Sequence, residues 1–301
     1  MNVQMHDPVT SPQPFVSQAS FSMPELMAQS AWIEHAPFGF WIVDALRPRT
    51  VVELGVHRGF SYFVFCQAVR QLRLDARCFA IDSWAGDQHA GYYGEDVYRQ
   101  VAAHNRRYDD ISRLVRADFA EALNEFADGS IDLLHIDGCH TYEAVRRDFE
   151  MWLPKLSRRG VVLFHDTAEY ERGFGVYLLW EQLRTRYPHF EFTHGHGLGV
   201  IAVGAEPPAQ IRRLLHASAT PASAQTVRAL YERLGAFVSH EQKLQDVVDS
   251  YEASTSWRVT RPLRALARLM ASARGAADDV GANIRAGSEP YRRPCTRNPL
   301  G

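Results

Sequence analysis

Cysteine is scarce in this chain of 301 residues, and the cysteines that are present follow no pattern. Cys66, Cys78, Cys139 and Cys295 occur without a C-x-x-C pair or a closely spaced set. A fold built on disulfides or on paired-cysteine zinc sites is therefore excluded. We interpret the cysteines as buried thiols of a protein in a reducing cytosol.

Long apolar runs and an excess of charge of one sign are also lacking. No segment approaches the roughly 18 apolar residues of a membrane-spanning helix, and the N-terminus has no positive start followed by an apolar block. The formal net charge of −2 provides no general attraction to nucleic acid. We therefore expect a cytoplasmic protein that does not bind nucleic acid.

Strand-like and helix-like segments alternate through the middle of the chain. Strands are predicted at 50–55, 77–82, 112–116, 131–137 and 160–165, with helices near 60–73, 95–106, 119–127 and 142–156. This alternation predicts an α/β fold with a Rossmann-like, doubly wound and mostly parallel sheet. A further helix near 174–186 precedes strands at 190–194 and 198–203, which predict an antiparallel hairpin at the end of a seven-stranded sheet.

Composition divides the chain into five segments. They are a disordered lead over 1–22, an α/β domain over 23–204, a linker over 205–223, a helical extension over 224–274 and a disordered tail over 275–301. At the start of the α/β domain, apolar residues at helical spacing predict two short helices broken at Pro37.

The helical extension carries two apolar patterns. An apolar stripe at three- and four-residue steps predicts a short coiled coil or a helix laid across the domain; its members are Leu230, Leu234, Phe237, Leu244, Val248 and Tyr251. Over 256–270, arginines alternate with apolar residues, which is typical either of a helix in a membrane interface or of a solvated face.

A glycine-containing loop lies in VVELGVHRGFS, residues 51–61. Gly55 and Gly59 flank the turn before a helix that begins near Ser61. A dinucleotide loop would have its middle glycine near the position of His57, where this chain has none. The negative charge of Glu53 before the turn favours a ligand with an ammonium or sulfonium group over a pyrophosphate. The loop is therefore a candidate cofactor loop, with a simple turn as the alternative.

Acidic residues follow the second and third predicted strands. Asp82 ends the second strand in FAIDSWAGD, where a carboxylate accepts hydrogen bonds from ribose hydroxyls. An Asx-turn or a helix cap is the alternative reading. Asp118, after the third strand, is placed either to reach a base edge or to cap the next helix.

Polar side chains also end the fourth and fifth predicted strands. Asp137 and His140 follow one, and His165 and Asp166 end the other. Because parallel strands share one edge at their carboxyl ends, we expect these four residues to converge beside the cofactor loop. They can hold a divalent cation such as Mg²⁺ or supply a general base.

Five segments together resemble the class I S-adenosylmethionine-dependent methyltransferases. They are ELGVHRGFS, AIDSWAGD, LLHIDGCHTYEAVRRDFEMWLPKL, VVLFHDT and HGHGLGV. More narrowly, they resemble the bacterial branch (methyltransferase family 24-like) that includes sugar O-methyltransferases of macrolide and polysaccharide pathways. The resemblance covers about 36–204.

This resemblance implies specific roles for the candidate residues. The loop from Glu53 to Gly59 would hold the methionine part of S-adenosylmethionine, Asp82 would bind the ribose, and Asp118 would lie near the adenine. We place two further residues in this cofactor site, Ser61 and Ser83.

The resemblance also bears on a metal. In metal-dependent relatives, acids after the fourth and fifth strands bind Mg²⁺, and Asp137 and Asp166 match them. His165 stands where a carboxylate is usual, so we expect weaker Mg²⁺ binding or a softer divalent metal.

The C-terminal segment STSWRVTRPLRAL resembles the ends of bacterial surface-polysaccharide glycosyltransferases and their partner proteins. It implies a glycan acceptor at the inner face of the membrane. Residues 224–270 would then provide peripheral membrane contact or helical self-association.

The expected reaction is transfer of a methyl group from a sulfonium to a hydroxyl of a small molecule or glycan. His140, His165 or a metal held by Asp137 and Asp166 would promote loss of the hydroxyl proton. Three alternatives stay open. One is a nicotinamide-dependent oxidoreductase, which the absent middle glycine and the terminal hairpin disfavour, and another is a non-catalytic partner in a glycan assembly complex. The third, a minor one, is an iron oxygenase that uses His and Asp as ligands.

Overall fold

The structure is a computed structural model that describes residues 15–264. The chain divides into two units, Met1–Gln242 and Lys243–Gly301. The candidate cofactor loop and all the candidate strand ends belong to the first unit.

Nine strands are present in the described part of the chain. They are β1 (Thr50–Leu54), β2 (Arg77–Asp82), β3 (Gly86–Asp87), β4 (Gly91–Tyr92), β5 (Ser112–Arg116), β6 (Ile131–Ile136), β7 (Leu156–His165), β8 (His189–Phe192) and β9 (Leu198–Ala202). Seven of them form one sheet in the order β5-β2-β1-β6-β7-β9-β8, and β3 pairs with β4 in a small separate hairpin.

The large sheet is parallel except at one edge. Strands β5, β2, β1, β6 and β7 pair in parallel, while β9 runs antiparallel to both β7 and β8. This arrangement confirms the predicted doubly wound α/β fold with a terminal antiparallel hairpin. It places the carboxyl ends of β1, β2, β5, β6 and β7 along one edge of the sheet.

Helices precede, connect and follow the strands along the sequence. They are α1 (Ala36–Leu46), α2 (Phe60–Gln71), α3 (Glu95–Asn105), α4 (Phe119–Ala122), α5 (Tyr142–Trp152), α6 (Val176–Leu183), α7 (Ala209–Ala217), α8 (Pro221–Ala253) and α9 (Thr255–Val259). Short 3-10 helices lie at Gln18–Phe21, Ile33–His35, Arg106–Tyr108, Leu123–Glu125 and Leu153–Lys155.

Each face of the sheet is covered by its own apolar layer. Side chains alternate along a strand, so Val51 of β1 joins the layer that contains Phe40 of α1. Its neighbour Val52 joins the opposite layer, with Phe149 of α5 and Trp180 of α6. Burial on both faces explains why these strands are almost continuously apolar in sequence.

The structure corrects three predicted boundaries in the first unit. Pro37 lies in the first turn of α1, where proline needs no hydrogen-bond partner for its nitrogen, and so it does not break a helix. The predicted lead 1–22 includes the 3-10 helix Gln18–Phe21, whose Ser20 is buried. The predicted linker 205–223 contains α7, which buries Ile211 and Leu214 against the core.

The long helix α8 begins at Pro221 and buries a different stripe from the predicted one. Val227, Tyr231 and Val238 are buried in the core of the first unit. Of the predicted stripe, Leu230 and Leu234 are half-buried, and four members are exposed, namely Phe237, Leu244, Val248 and Tyr251.

The second unit is described as far as Arg264. Ser254 caps α9 by accepting a hydrogen bond from the Trp257 amide, and the guanidinium of Arg264 lies 3.6 Å from the centre of the Trp257 ring. The rest of the predicted basic helix and the predicted tail, 265–301, lie outside the described residues. In the described part of the chain, no helix is long and apolar enough to cross a membrane.

Candidate functional site

The loop between β1 and α2 is held in place by a carboxylate from β2. One oxygen of Asp82 accepts the backbone N–H groups of Val56 and His57 at 2.8 and 2.9 Å, and the other accepts the N–H of Trp84 at 2.6 Å. The bond to Trp84, two residues on, is the turn geometry that the sequence left as the alternative for Asp82. Asp82 also lines a cavity beside the loop, so the turn does not prevent its contact with a ligand.

Gly55 sits where no other residue fits. Its φ is +84°, and a Cβ built on it would lie 2.1 Å from the backbone oxygen of Asp137. Gly59 caps α2 with a φ of +83°, and a Cβ there would meet the Phe63 ring at 2.7 Å. Both glycines therefore shape the loop, and Gly55 brings the ends of β1 and β6 together.

His57, whose role the sequence left open, turns the chain and stacks on an aromatic ring. Its φ is +48°, and its ring lies 4.7 Å from that of Tyr93 at an angle of 26°. Burial lowers the pKa of His57, with a smaller contribution from Arg58. A neutral, stacked imidazole lines the cavities on both sides of this loop.

The Glu53 side chain lines neither of the cavities beside this loop, whereas the sequence predicted that it faces the cofactor. Its side chain is fully buried beneath the sheet, where it accepts a hydrogen bond from the Ser61 hydroxyl at 2.8 Å and contacts Nδ1 of His135 at 3.0 Å. Burial raises the pKa of Glu53, although His135 and Ser61 oppose the rise. Side-chain alternation explains the error: Val52 and Leu54 face one apolar layer, so Glu53 points into the other. The Ser61 hydroxyl is likewise occupied by Glu53.

A cavity of about 510 Å³ runs along the ends of β1, β2, β5 and β6. Four of the predicted cofactor residues besides His57 line it, namely Gly55, Asp82, Ser83 and Asp118. Asp118 precedes α4 without a side-chain capping bond, so its carboxylate is available on the cavity wall. The sequence missed Asp148 of α5, which lines the same cavity. A charged residue on the apolar stripe of Val145, Phe149 and Trp152 was the available signal.

Two acids and two histidines meet at the ends of β6 and β7, as predicted. Nε2 of His140 lies 3.4 Å from Asp137 and 2.9 Å from Asp166. Nδ1 of His165 lies 3.3 Å from both of these carboxylates, and its Nε2 donates to the carbonyl of Gly195 at 3.1 Å. The HGHG segment thus orients His165 through a backbone oxygen.

Mutual charge stabilisation dominates the ionisation of this cluster. Burial would lower the pKa of His140, but its hydrogen bonds to Asp137 and Asp166 raise it to about 9. Burial also opposes the charged form of His165, yet the same two carboxylates raise its pKa well above the usual value. In turn, the histidines outweigh burial and hold the pKa of each carboxyl below its usual range.

The same side chains have the donor groups of a divalent metal site. Ligand atoms of Asp137, His140 and Asp166 all lie within 4.8 Å of one another. This set replaces His165 of the predicted set with His140, although Nδ1 of His165 also faces both carboxylates. Two carboxylate oxygens with imidazole nitrogens suit a softer divalent ion better than Mg²⁺, which prefers oxygen ligands only.

A second group with ligand atoms this close lies between the β3–β4 hairpin and the segment after β6. It consists of Asp87, His89 and Cys139. One oxygen of Asp87 already accepts the amides of His89 and Ala90 at 2.7 Å, so this carboxylate also shapes the turn of the hairpin.

A second cavity, of about 600 Å³, opens over the acid–histidine cluster. Asp137 and His140 border both cavities, so the cluster lies where they adjoin. The second cavity is lined with aromatic and basic side chains, among them Arg58, Tyr92, Tyr93, Arg172 and Phe174. A ligand in each cavity would meet at Asp137.

Comparison with known proteins agrees with this geometry. Residues 52–167, less than half of the chain, match the model of a family described as a methyltransferase domain. The chain is also 56% identical over 177 residues to an uncharacterized protein of Sinorhizobium fredii, y4gI, a match that covers 59% of this chain and 20% of that protein. The chain thus spans about a fifth of the length of this curated relative.

Solved structures with lower similarity include two methyltransferases. The O-methyltransferase TomG of Streptomyces achromogenes, in complex with SAM, is 14% identical and gives a TM-score of 0.44, with 60% of this chain and 83% of that chain covered. SAH-bound PaMTH1 of Podospora anserina is also 14% identical, with a TM-score of 0.44 and coverage of 56% and 77%. Neither likeness establishes the function of this chain.

Proposed function

We propose that this chain is an S-adenosylmethionine-dependent O-methyltransferase, and we start from the match of residues 52–167 to a methyltransferase domain. The observation that carries the proposal is the position of Asp137, which borders both cavities. A methyl donor in the first cavity and a hydroxyl in the second would meet beside this carboxylate. Such an arrangement suits direct transfer between two bound molecules.

The first cavity supports the nucleoside part of this proposal. Its wall includes the glycine loop, the carboxylate of Asp82 and the ring of Phe119. We assign the methionine part to the loop, the ribose to Asp82 and Ser83, and the base to the side of Asp118 and Phe119. The carboxylates near the loop favour a donor with a positive sulfonium over a pyrophosphate.

The acid–histidine cluster supports proton removal from the hydroxyl. As the hydroxyl oxygen forms its bond to the methyl carbon, the carbon–sulfur bond breaks and the hydroxyl proton must leave. We assign this proton to the neutral form of His140, with His165 holding the carboxylates in place. Because the pKa of His140 is about 9, this neutral form is a minor fraction at pH 7 and grows as the pH rises toward 9. Both carboxylates would stabilise the imidazolium that results.

A divalent cation fits the same residues. Asp137, His140 and Asp166 would hold it, and the carboxylate–imidazole set favours manganese, iron or zinc over magnesium. When bound, such an ion lowers the pKa of a coordinated hydroxyl. His140 would then act as a ligand to the ion rather than as the base.

We propose a sugar or glycan as the acceptor. The second cavity presents Tyr92, Tyr93 and Phe174, which offer aromatic faces and hydroxyls to a polar ring. The resemblance of the C-terminal segment to surface-polysaccharide enzymes supports an acceptor assembled at the inner face of the membrane. For a partner in that setting, we propose contact with the membrane or a second copy through residues 224–270, where Phe237, Leu244 and Val248 are exposed.

A binding experiment tests the cofactor. Isothermal titration of the whole chain with S-adenosylhomocysteine should give a one-to-one complex, and titration with NAD should give no heat of binding. Binding of NAD alone would contradict the proposal and favour an oxidoreductase.

A transfer experiment tests catalysis. The wild type, given S-adenosylmethionine labelled in its methyl group, should label the surface glycans of an extract, and Asp137→Asn should lower this labelling by at least about 100-fold. Asp109→Asn, an exposed acid that precedes β5 and lines neither cavity, is the matched control. If Asp137→Asn binds S-adenosylhomocysteine normally and leaves the glycans of a complemented strain unchanged, the chain is a non-catalytic partner instead.

A peripheral contact is tested by sedimentation with vesicles of anionic phospholipid. The full chain should sediment with them, and a chain that stops at Gln242 should stay in the supernatant. Sedimentation of both chains, or of neither, would contradict a membrane contact through the C-terminal residues.

A further inference from the structure

Asp148 is a buried carboxylate with an unused acceptor. Its side chain is 2% exposed, and its Oδ1 has no hydrogen-bond partner in the described structure. The closest charged nitrogen is Nε of Arg147, which lies 3.7 Å from this same Oδ1 and belongs to a largely exposed side chain. The other oxygen, Oδ2, lies on the side of Gly138. Burial raises the pKa of Asp148 to about 6, against the weaker opposing effect of Arg147.

Such a group lowers the free energy of unfolding. A buried acceptor without a partner loses its hydration and gains nothing in return. The helix α5 would pack an apolar residue at this position without cost, as it does at Val145 and Phe149. A carboxylate that destabilises the protein without ligand indicates that a bound ligand supplies the missing hydrogen-bond donor.

The surroundings of Asp148 identify the part of the ligand that it meets. Asp148 lines the first cavity beside Phe119, Gly138 and Met151. A Cβ added to Gly138 would lie 2.5 Å from the Phe119 ring and 3.8 Å from Oδ2 of Asp148. This end of the cavity thus combines a ring, a thioether and a bare backbone, which suit the faces of a flat base.

Among the common bases, adenine offers a suitable partner at its edge. Its exocyclic amine is a donor, whereas the corresponding oxygen of hypoxanthine or guanine is an acceptor. We infer that Asp148 accepts a hydrogen bond from the 6-amino group of the cofactor's adenine and thereby selects adenosine over inosine cofactors. This inference rests on the proposed use of S-adenosylmethionine and adds a residue that reads the base.

The test compares S-adenosylhomocysteine with S-inosylhomocysteine, in which an oxygen replaces the amine. Isothermal titration of the full chain at pH 8 should show S-adenosylhomocysteine bound about 10- to 100-fold more tightly by the wild type. In Asp148→Asn, the amide can accept from the amine or donate to the oxygen, so this preference should fall below about threefold or invert. Glu150→Gln, an exposed change on the same helix, should keep the wild-type preference.

Melting curves separate a role in binding from a role in folding. Asp148→Asn should melt no lower than the wild type at pH 8, because it removes a buried charge without changing the shape of the side chain. A preference in Asp148→Asn equal to that of the wild type would overturn the inference, as would an equal loss of affinity for both compounds. If the wild type binds neither compound, the proposed function itself fails; if it binds both equally well, only the reading of the base by Asp148 fails.

Discussion

Two buried carboxylates of the first unit differ in their partners. Glu53 lies between the Ser61 hydroxyl and His135, so its oxygens are satisfied within the protein. Asp148 is buried almost as deeply but leaves Oδ1 without a partner. Glu53 therefore fixes the packing of β1 on α2, whereas the charge of Asp148 weakens the isolated protein.

The raised pKa of Asp148 predicts a pH-dependent effect on stability. A free aspartate has a pKa of about 3.9, and that of Asp148 in the fold is about 6. Between these values the native state holds the proton more tightly than the unfolded state, so the wild type loses stability as pH rises through this window. Arg147 is the charged group that faces Asp148, and it only partly opposes the shift.

Urea unfolding of Asp148→Asn, which cannot titrate, measures this effect. At pH 8 the variant should be more stable than the wild type by about 2–3 kcal/mol, and near pH 4 the two should agree within about 0.5 kcal/mol. A difference that stays the same at both pH values would show that the Asp148 charge is not its cause.

Replacement of Gly55 tests the contact between the cofactor loop and β6. Gly55→Ala requires a positive φ and places Cβ against the Asp137 backbone oxygen, so we expect a loss of about 3 kcal/mol or more in unfolding free energy. Binding of S-adenosylhomocysteine should weaken at least about tenfold, because the loop must move.

Gly129→Ala is the matched control for this substitution. Gly129 also has a positive φ, but a Cβ there meets nothing within 4 Å. The unfolding free energy of Gly129→Ala should fall by only about 1–2 kcal/mol, because the new side chain disfavours a positive φ. Binding of S-adenosylhomocysteine should stay normal. Equal losses for the two variants would show that the contact with Asp137 is unimportant.

At the scale of the elements, the sequence predicted the sheet well because its strands are buried on both faces. β2 and β5 begin and end at the predicted residues, and the other sheet strands differ by a few residues at their ends. The helix α7 was missed because the flanking segments EPPAQ and ATPASAQ are typical of linkers. Its apolar residues span a single face of only nine residues, which is too short for a clear periodic signal.

The position of α7 in the core predicts a large effect of truncating its buried side chains. Leu214 is fully buried in the layer that contains α1. We expect Leu214→Ala to lower the unfolding free energy by about 2–5 kcal/mol, measured by urea unfolding. Arg213→Ala, on the exposed side of the same helix, should change it by less than about 0.5 kcal/mol. Similar small effects for both would contradict a structural role of α7.

The site was predictable where it depends on strand ends and less so where it depends on side-chain direction. Asp137 and Asp166 follow parallel strands, so their convergence follows from topology alone. The direction of Glu53 depends on which face of β1 packs on α2, and the approach of Asp148 depends on how α5 lies over β6. Neither relation is encoded in local spacing.

At the scale of the whole molecule, the first unit extends well beyond the predicted α/β domain. The first half of α8 belongs to its core: the Tyr231 hydroxyl donates to the carbonyl of Phe15 at 2.6 Å, and its ring lies 5.4 Å from Phe38. A domain that ends at residue 204 would lack this helix and α7. We therefore expect the folded unit to extend to about Gln242.

Two truncations test this boundary. A chain that ends at Gln242 should unfold cooperatively and bind S-adenosylhomocysteine within about threefold of the full chain. A chain that ends at Gly204 should fail to fold or bind, because it exposes the apolar side chains that α7 and α8 cover. Circular dichroism melting and isothermal titration provide the two measurements. Normal binding by the shorter chain would contradict the extended core.

We expect Asp137 to link the binding of ligands in the two cavities. Its backbone N–H donates to the Leu54 carbonyl at 2.8 Å, its backbone oxygen abuts Gly55, and its carboxylate contacts both histidines. An acceptor that contacts the Asp137 carboxylate is therefore expected to affect the glycine loop, which the donor contacts. Thermodynamic reciprocity then applies: if a bound donor raises the affinity for the acceptor by some factor, a bound acceptor raises the affinity for the donor by the same factor. Such cooperativity would make the ternary complex, rather than either binary one, the state that accumulates.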